Sequence, residues 1–65
     1  MDFYEALRCA ANGDKITKRE WGNQKCWGQM LEGKLVLHKP DDVYYPWTIS
    51  DGDLMGNDWE IIMYA

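Results

Sequence analysis

The stretch Cys26-Trp27-Gly28-Gln29-Met30-Leu31-Glu32-Gly33-Lys34-Leu35-Val36-Leu37-His38 reads as two short strands joined by Glu32-Gly33. Two apolar-rich runs separated by a tight glycine turn are a hairpin signal. In the second arm Leu35 and Leu37 share one face, and Lys34, Val36 and His38 take the other. In the first arm Trp27 and Leu31 alternate with Cys26 and Met30. So short a connection joins antiparallel strands, which sets the type of sheet.

Toward the N-terminus, Lys15 to Lys18 is a short strand with Ile16 inward. Charged Lys18-Arg19-Glu20 and a turn at Trp21-Gly22-Asn23 lead from it into the hairpin. Before it lies a helix of roughly ten residues, with Phe3, Ala6, Leu7 and Ala10 on one apolar face. Asp2 caps its start with Glu5 three residues on, as in a capping box, and Asn12-Gly13 stops it. Toward the C-terminus, Lys39-Pro40-Asp41-Asp42 is a loop. Val43 to Ile49 is strand-like, and Pro46 places it at an edge, a bulge or a strand end. Trp59 to Tyr64 forms the last strand, with Trp59, Ile61 and Met63 on one side. The expected fold is α+β: one domain over residues 1–65, an N-terminal helix packed on a small antiparallel sheet of four to five strands. One helix covers only part of such a sheet, so the rest and at least one edge are expected to meet another subunit.

Trp47-Thr48-Ile49-Ser50-Asp51-Gly52-Asp53-Leu54-Met55-Gly56-Asn57-Asp58-Trp59 is too polar for a core element. It reads as a shaped turn with one helical turn inside: Ser50 caps, Asp51-Gly52 turns the backbone, and Leu54 and Met55 plug inward. It places amides, hydroxyls and carboxylates beside indoles. That suits a small, flat, polar ligand, and it equally suits a structural corner.

A chain of 65 residues with four Trp, four Tyr and one Phe either packs a dense core or spends aromatics on a pocket or a subunit interface. Cys9 and Cys26 are too few and too far apart for a zinc site and read as small buried hydrophobes in a reducing cytosol, although one disulfide is allowed on paper. Met1 leads directly into an amphipathic segment, with no signal peptide and no membrane span expected. A net charge of −4 argues against duplex nucleic acid as a partner, and less against one small nucleotide.

Groups for catalysis are scarce. His38 is the lone histidine and reads as a packing or surface residue. Ser50 and the cysteines have no base beside them in sequence, and Asp51, Asp53 and Asp58 lack the spacing of a calcium loop. No catalytic residue, metal or cofactor is expected, and no enzyme. Trp59 reads as core, and Trp27 as either core or site. Trp21 and Trp47 stand at strand-to-turn junctions, where a half-exposed indole is a platform for a base, and packing remains the alternative. Phe3 faces the core by helix phase yet stands at the helix start, where it can line a rim. Lys15, Lys18, Arg19 and Lys25 make a basic cluster: a solvated face, or a counter-charge for phosphate.

The opening Met1-Asp2-Phe3-Tyr4-Glu5-Ala6-Leu7, then Gly13-Asp14-Lys15-Ile16-Thr17-Lys18 and Trp21, resembles the start of a phage and prophage family. So do Pro46-Trp47, Ser50, Asp53-Leu54-Met55 and Asn57-Asp58-Trp59-Glu60-Ile61 near the end. The chain looks like a member of the Thoeris anti-defence family of the second type. That resemblance implies a cytoplasmic phage protein in the infected host, assembled as a homotetramer built from dimers. Pockets between protomers would sequester, without cleaving, a cyclic nucleotide immune messenger: glycocyclic ADP-ribose, or the cyclic oligonucleotides of CBASS-type immunity. Carried over by motif, Phe3, Trp21, Trp47, Ser50, Asp53 and Asn57 are the ligand-site candidates. Trp21 and Trp47 would stack, Ser50 and Asn57 would hydrogen-bond, and Asp53 would bind ribose hydroxyls or fix the turn. One departure is Trp21-Gly22-Asn23, where many members read Trp-Asn-Gly. The competing reading is a protein-binding module that docks a host protein through exposed aromatics; a nucleotide hydrolase is the third.

Overall fold

The computed structural model describes residues 1–22 and 25–63. The expected turn residue Asn23 and the strand residue Tyr64 lie outside the described residues. The elements are α1 (Phe3–Ala11), β1 (Lys15–Lys18), a single 3₁₀ turn (Arg19–Trp21), β2 (Trp27–Leu31), β3 (Lys34–His38), β4 (Tyr44–Pro46), α2 (Asp51–Met55) and β5 (Trp59–Ile62). The five strands form one antiparallel sheet in the order β4-β3-β2-β1-β5. The fold is α+β, as the residue pattern predicts.

Local chemistry accounts for the boundaries. The Asp2 carboxylate accepts from the Glu5 N–H at 2.8 Å, and Gly13 adopts a φ of 103° just past the helix end. Glu32 and Gly33 both take positive φ, 52° and 77°, which matches the twist of the two flanking strands. Leu31 then faces Lys34 and Trp27 faces His38 across the hairpin. β4 is shorter than the strand-like run 43–49; it ends at Pro46, at the sheet edge, where a missing N–H costs nothing.

Pairing puts Tyr45, Leu37, Gly28, Ile16 and Ile61 in one row across all five strands. That face carries α1. Phe3, Ala6 and Ala10 from the helix meet Ile16 and Trp59 from the sheet to make the core. The apolar stripe on α1 is buried as its period requires. On the other face, the Trp27 ring stacks on His38 at 3.7 Å and 7°, and both are buried. His38 is a packing residue: Nδ1 lies 2.7 Å from the Lys25 carbonyl and Nε2 lies 3.3 Å from the Asp42 carboxylate.

Two expectations fail here. Leu54 and Met55 do not plug inward; they are 56 % and 80 % exposed. The inward residue of α2 is Asp53, because the helix is held by its polar cap rather than by an apolar face. The cysteines are free and half-buried rather than buried. No helix among the described residues is long and apolar enough to cross a membrane.

Candidate functional site

The centre of the site is the Asp53 carboxylate. Ser50 caps α2 by accepting from the Asp53 N–H at 3.2 Å, and Asp53 Oδ2 accepts from the Ser50 N–H at 3.1 Å. This is a capping box in which aspartate replaces the usual Glu or Gln at the third helical position. The same Oδ2 accepts from Trp47 Nε1 at 3.3 Å, so the cap also orients an indole. Asp53 Oδ1 faces Lys18 Nζ at 3.7 Å.

Lys18 belongs to the basic cluster expected either as a solvated face or as a counter-charge for phosphate, and it is neither solvated nor open. Its side chain is only 3 % exposed. It shares a strand face with Ile16 by the two-residue period, and that face is the covered one. Its ammonium donates to the Gly52 carbonyl at 3.2 Å, pairs with Glu20 at 3.2 Å and lies 5.5 Å from the Trp59 ring centroid. Lys18 therefore fastens α2 to β1 with three oxygen partners, which is what a buried ammonium needs. Parity with Ile16 was the signal available in the sequence.

Four rings meet beside this polar knot. Trp59 is 2 % exposed and contacts Phe3 at 5.2 Å, Trp21 at 5.3 Å and Trp47 at 5.7 Å between centroids. Trp47 meets Phe3 at 5.9 Å and 89°, and Trp21 at 6.1 Å and 66°. The edge-to-face geometry suits ring quadrupoles. Phe3 is buried within the cluster, while Trp21 and Trp47 stand half-buried at its rim. The Trp59 N–H donates to the Asp53 carbonyl at 3.2 Å and joins the cluster to α2.

Thus the structure brings Phe3, Trp21, Trp47, Ser50 and Asp53 together. Asp53 is committed to the turn and to Trp47 by the bonds above. Asn57 stands apart, exposed in the connection from α2 to β5, where its carbonyl accepts from the Met1 nitrogen at 3.4 Å. Next to it, the Glu20 N–H donates to Asp58 at 2.8 Å and holds that carboxyl below its ordinary value. Among the described residues no three His, Cys, Asp or Glu side chains gather as a metal site. Burial pushes the Cys26 thiol up, away from a reactive thiolate.

Sequence reasoning missed Gly28. It lies in the middle of β2, and a Cβ placed there would come 2.2 Å from the Trp47 ring. The indole lies directly on this backbone. A glycine inside a strand marks such a close approach, but nothing in the sequence says which ring arrives. Gly28→Ala is expected to lift Trp47 off the sheet and to cost about 1–3 kcal/mol through overpacking. Thermal melts followed by tryptophan emission check this; an unshifted emission maximum and melting temperature would remove the contact from the account.

Residues 1–62 match the family model described as Tad2-like, the Thoeris anti-defense 2-like domain. No curated protein matches the chain.

Proposed function

The chain belongs to the Tad2-like, Thoeris anti-defense 2-like, family, and from that premise we propose that it acts as a sponge for a cyclic nucleotide messenger. Its role is anti-defence. The protein, as a homotetramer in the infected cell's cytoplasm, binds glycocyclic ADP-ribose or a cyclic oligonucleotide reversibly and cleaves nothing. The free signal then falls below what its effector needs.

The observation that carries this reading is the pair of half-buried indoles, Trp21 and Trp47, at the rim of a rigid aromatic cluster. A base stacking on a held indole contributes about 1–3 kcal/mol, and a pre-set ring spends no ordering entropy on binding. Trp47 is pre-set by Gly28 beneath it and Asp53 at its Nε1. Ser50 supplies a polar group nearby, and Asp53 supports the site by fixing the turn rather than by reaching for ribose. To keep a micromolar signal mostly bound, the protein needs a binding free energy of about −10 kcal/mol or better.

Leu54 and Met55, exposed on α2 next to the indoles, favour one second reading, a module that docks a host protein. Native mass spectrometry of the protein with cyclic ADP-ribose isomers and cyclic di- and trinucleotides separates the two. The sponge reading expects an oligomer that retains one class of ligand, with the same ligand released intact on denaturation. An assembly that ignores the whole panel transfers the case to the docking module, and a ligand released as hydrolysed product makes the protein an enzyme.

A further inference from the structure

The 3₁₀ turn Arg19–Trp21 carries one of the two rim indoles, and its own segment does not hold its start. Its N-cap residue, Lys18, has only donors to offer and makes no side-chain cap bond. The leading N–H groups of a helical turn have no partner within it and must find one elsewhere. Here one distant residue takes two of them. Asp58 accepts from the Arg19 N–H through its carbonyl at 3.2 Å and from the Glu20 N–H through its carboxylate at 2.8 Å. The cap is thus supplied by the connection from α2 to β5. The far end of the turn is closed by Gly22, whose N–H donates to the Arg19 carbonyl at 3.0 Å from a φ of 64°. The Glu20 N–H first, and the Lys18 and Arg19 charges after it, hold the Asp58 carboxyl below its ordinary value, so it is an ionised acceptor at neutral pH. A Cβ at Gly56 would lie 3.3 Å from Asp58 Oδ1 and 3.1 Å from Lys18 Cε, so the glycine leaves the carboxylate its room.

We propose that Asp58 is a positioning residue for the messenger site: by capping this turn from outside, it fixes the angle at which Trp21 offers its face to a base. Asp58 holds the backbone of the turn, while the next residue, Trp59, holds its ring at 5.3 Å and 82°. The two rim indoles are then set by two aspartates in different ways. Asp53 reaches Trp47 directly at its Nε1, and Asp58 reaches Trp21 through the backbone before it. The ion pairs of the turn are poor substitutes for the cap. They join Glu20 to Lys18 and Arg19 to Glu60, and Glu20 and Arg19 are both well exposed, where such pairs hold little. A ring that must be ordered during binding forfeits part of what it contributes. The effect on affinity rests on the messenger reading above; the hold of Asp58 on the turn does not.

Two readouts test this. In the ligand-free protein, Asp58→Ala is followed by the indole N–H resonances of a proton–nitrogen correlation spectrum, with that of Trp21 identified by its loss in Trp21→Phe. The expected result is a displaced or broadened Trp21 resonance beside an unmoved Trp27 resonance, since Trp27 stacks on His38 across the sheet. Asp58→Asn keeps an acceptor oxygen for the Glu20 N–H and is expected to restore the parent position. Calorimetry then uses whichever of the cyclic ADP-ribose isomers and cyclic di- and trinucleotides the parent retains. Asp58→Ala is expected to bind it about tenfold more weakly, and Asp58→Asn nearly as the parent does. In a Trp21→Ala background the same alanine change is expected to cost nothing more, because a positioning residue acts only through the ring it positions. An unmoved Trp21 resonance in Asp58→Ala overturns the proposal. So does a loss of affinity that persists in the Trp21→Ala background, which would put Asp58 on the ligand itself. An alanine variant that loses its circular dichroism spectrum also overturns it, because Asp58 would then hold the fold rather than one turn. If the parent retains no member of the panel, the messenger reading fails, and the resonance alone decides whether Asp58 sets Trp21.

Discussion

Trp59→Ala is expected to leave the protein largely unfolded at 25 °C. Trp59 is 2 % exposed and touches the other three rings of the cluster. Removing a buried Trp side chain costs about 3–5 kcal/mol, the sum of lost transfer energy and the cavity that remains. A domain of this length draws only about 3–5 kcal/mol from its core, so the loss is comparable with the whole. The variant also strands the Asp53 carbonyl, which accepts the indole N–H at 3.2 Å. Trp59→Phe refills most of the volume and forfeits that bond alone, so it is expected to fold with a lowered midpoint. Urea unfolding of the three proteins is the measurement. An alanine variant within about 1 kcal/mol of the parent would mean the core is not organised on this ring.

Asp53→Ala is the second large effect, at about 3 kcal/mol. Truncating one member of a buried ion pair costs about 3–5 kcal/mol because the other charge stays behind. The lower end applies here, since Lys18 keeps Glu20 and the Gly52 carbonyl as partners. The change also removes the acceptor for the Ser50 N–H and for Trp47 Nε1. It should therefore loosen Trp47 as well as α2, and show as altered indole emission before global unfolding. Asp53→Asn retains an acceptor oxygen and is expected to cost less. A cycle with Lys18→Met isolates the pair. If the single changes add up in the double variant, Lys18 and Asp53 are not coupled and the knot described above is incidental.

These two residues show how differently parts of this protein were legible. Trp59 was readable as core because it heads an alternating strand, where a period of two assigns sides without further information. The helix was readable because Phe3, Ala6, Leu7 and Ala10 repeat with its period and Asp2 and Gly13 punctuate it. Asp53 was not readable as buried. α2 spans five residues, too few for a periodic pattern, so sequence alone leaves open which side chain turns inward. Hydrophobicity pointed to Leu54 and Met55. The capping box, with Lys18 waiting below on β1, selected the carboxylate instead.

By itself, then, the order of residues determined everything that depends on near neighbours. That covers the caps, the Glu32-Gly33 hairpin, the inward side of Ile16, the alternation along β3, and hence the α+β class, with Pro46 marking an edge, a bulge or a strand end. It also supplied the motif blocks through which the family is recognised. Only the tertiary structure decided what depends on contacts between distant segments. These are the burial of Lys18, the seat of Trp47 on Gly28, and the meeting of Phe3, Trp21, Trp47 and Trp59. The physical reason is range. Periodicity and capping act over a few residues of backbone, whereas a buried charge or a ring on a glycine is chosen by whichever partner the folded chain delivers.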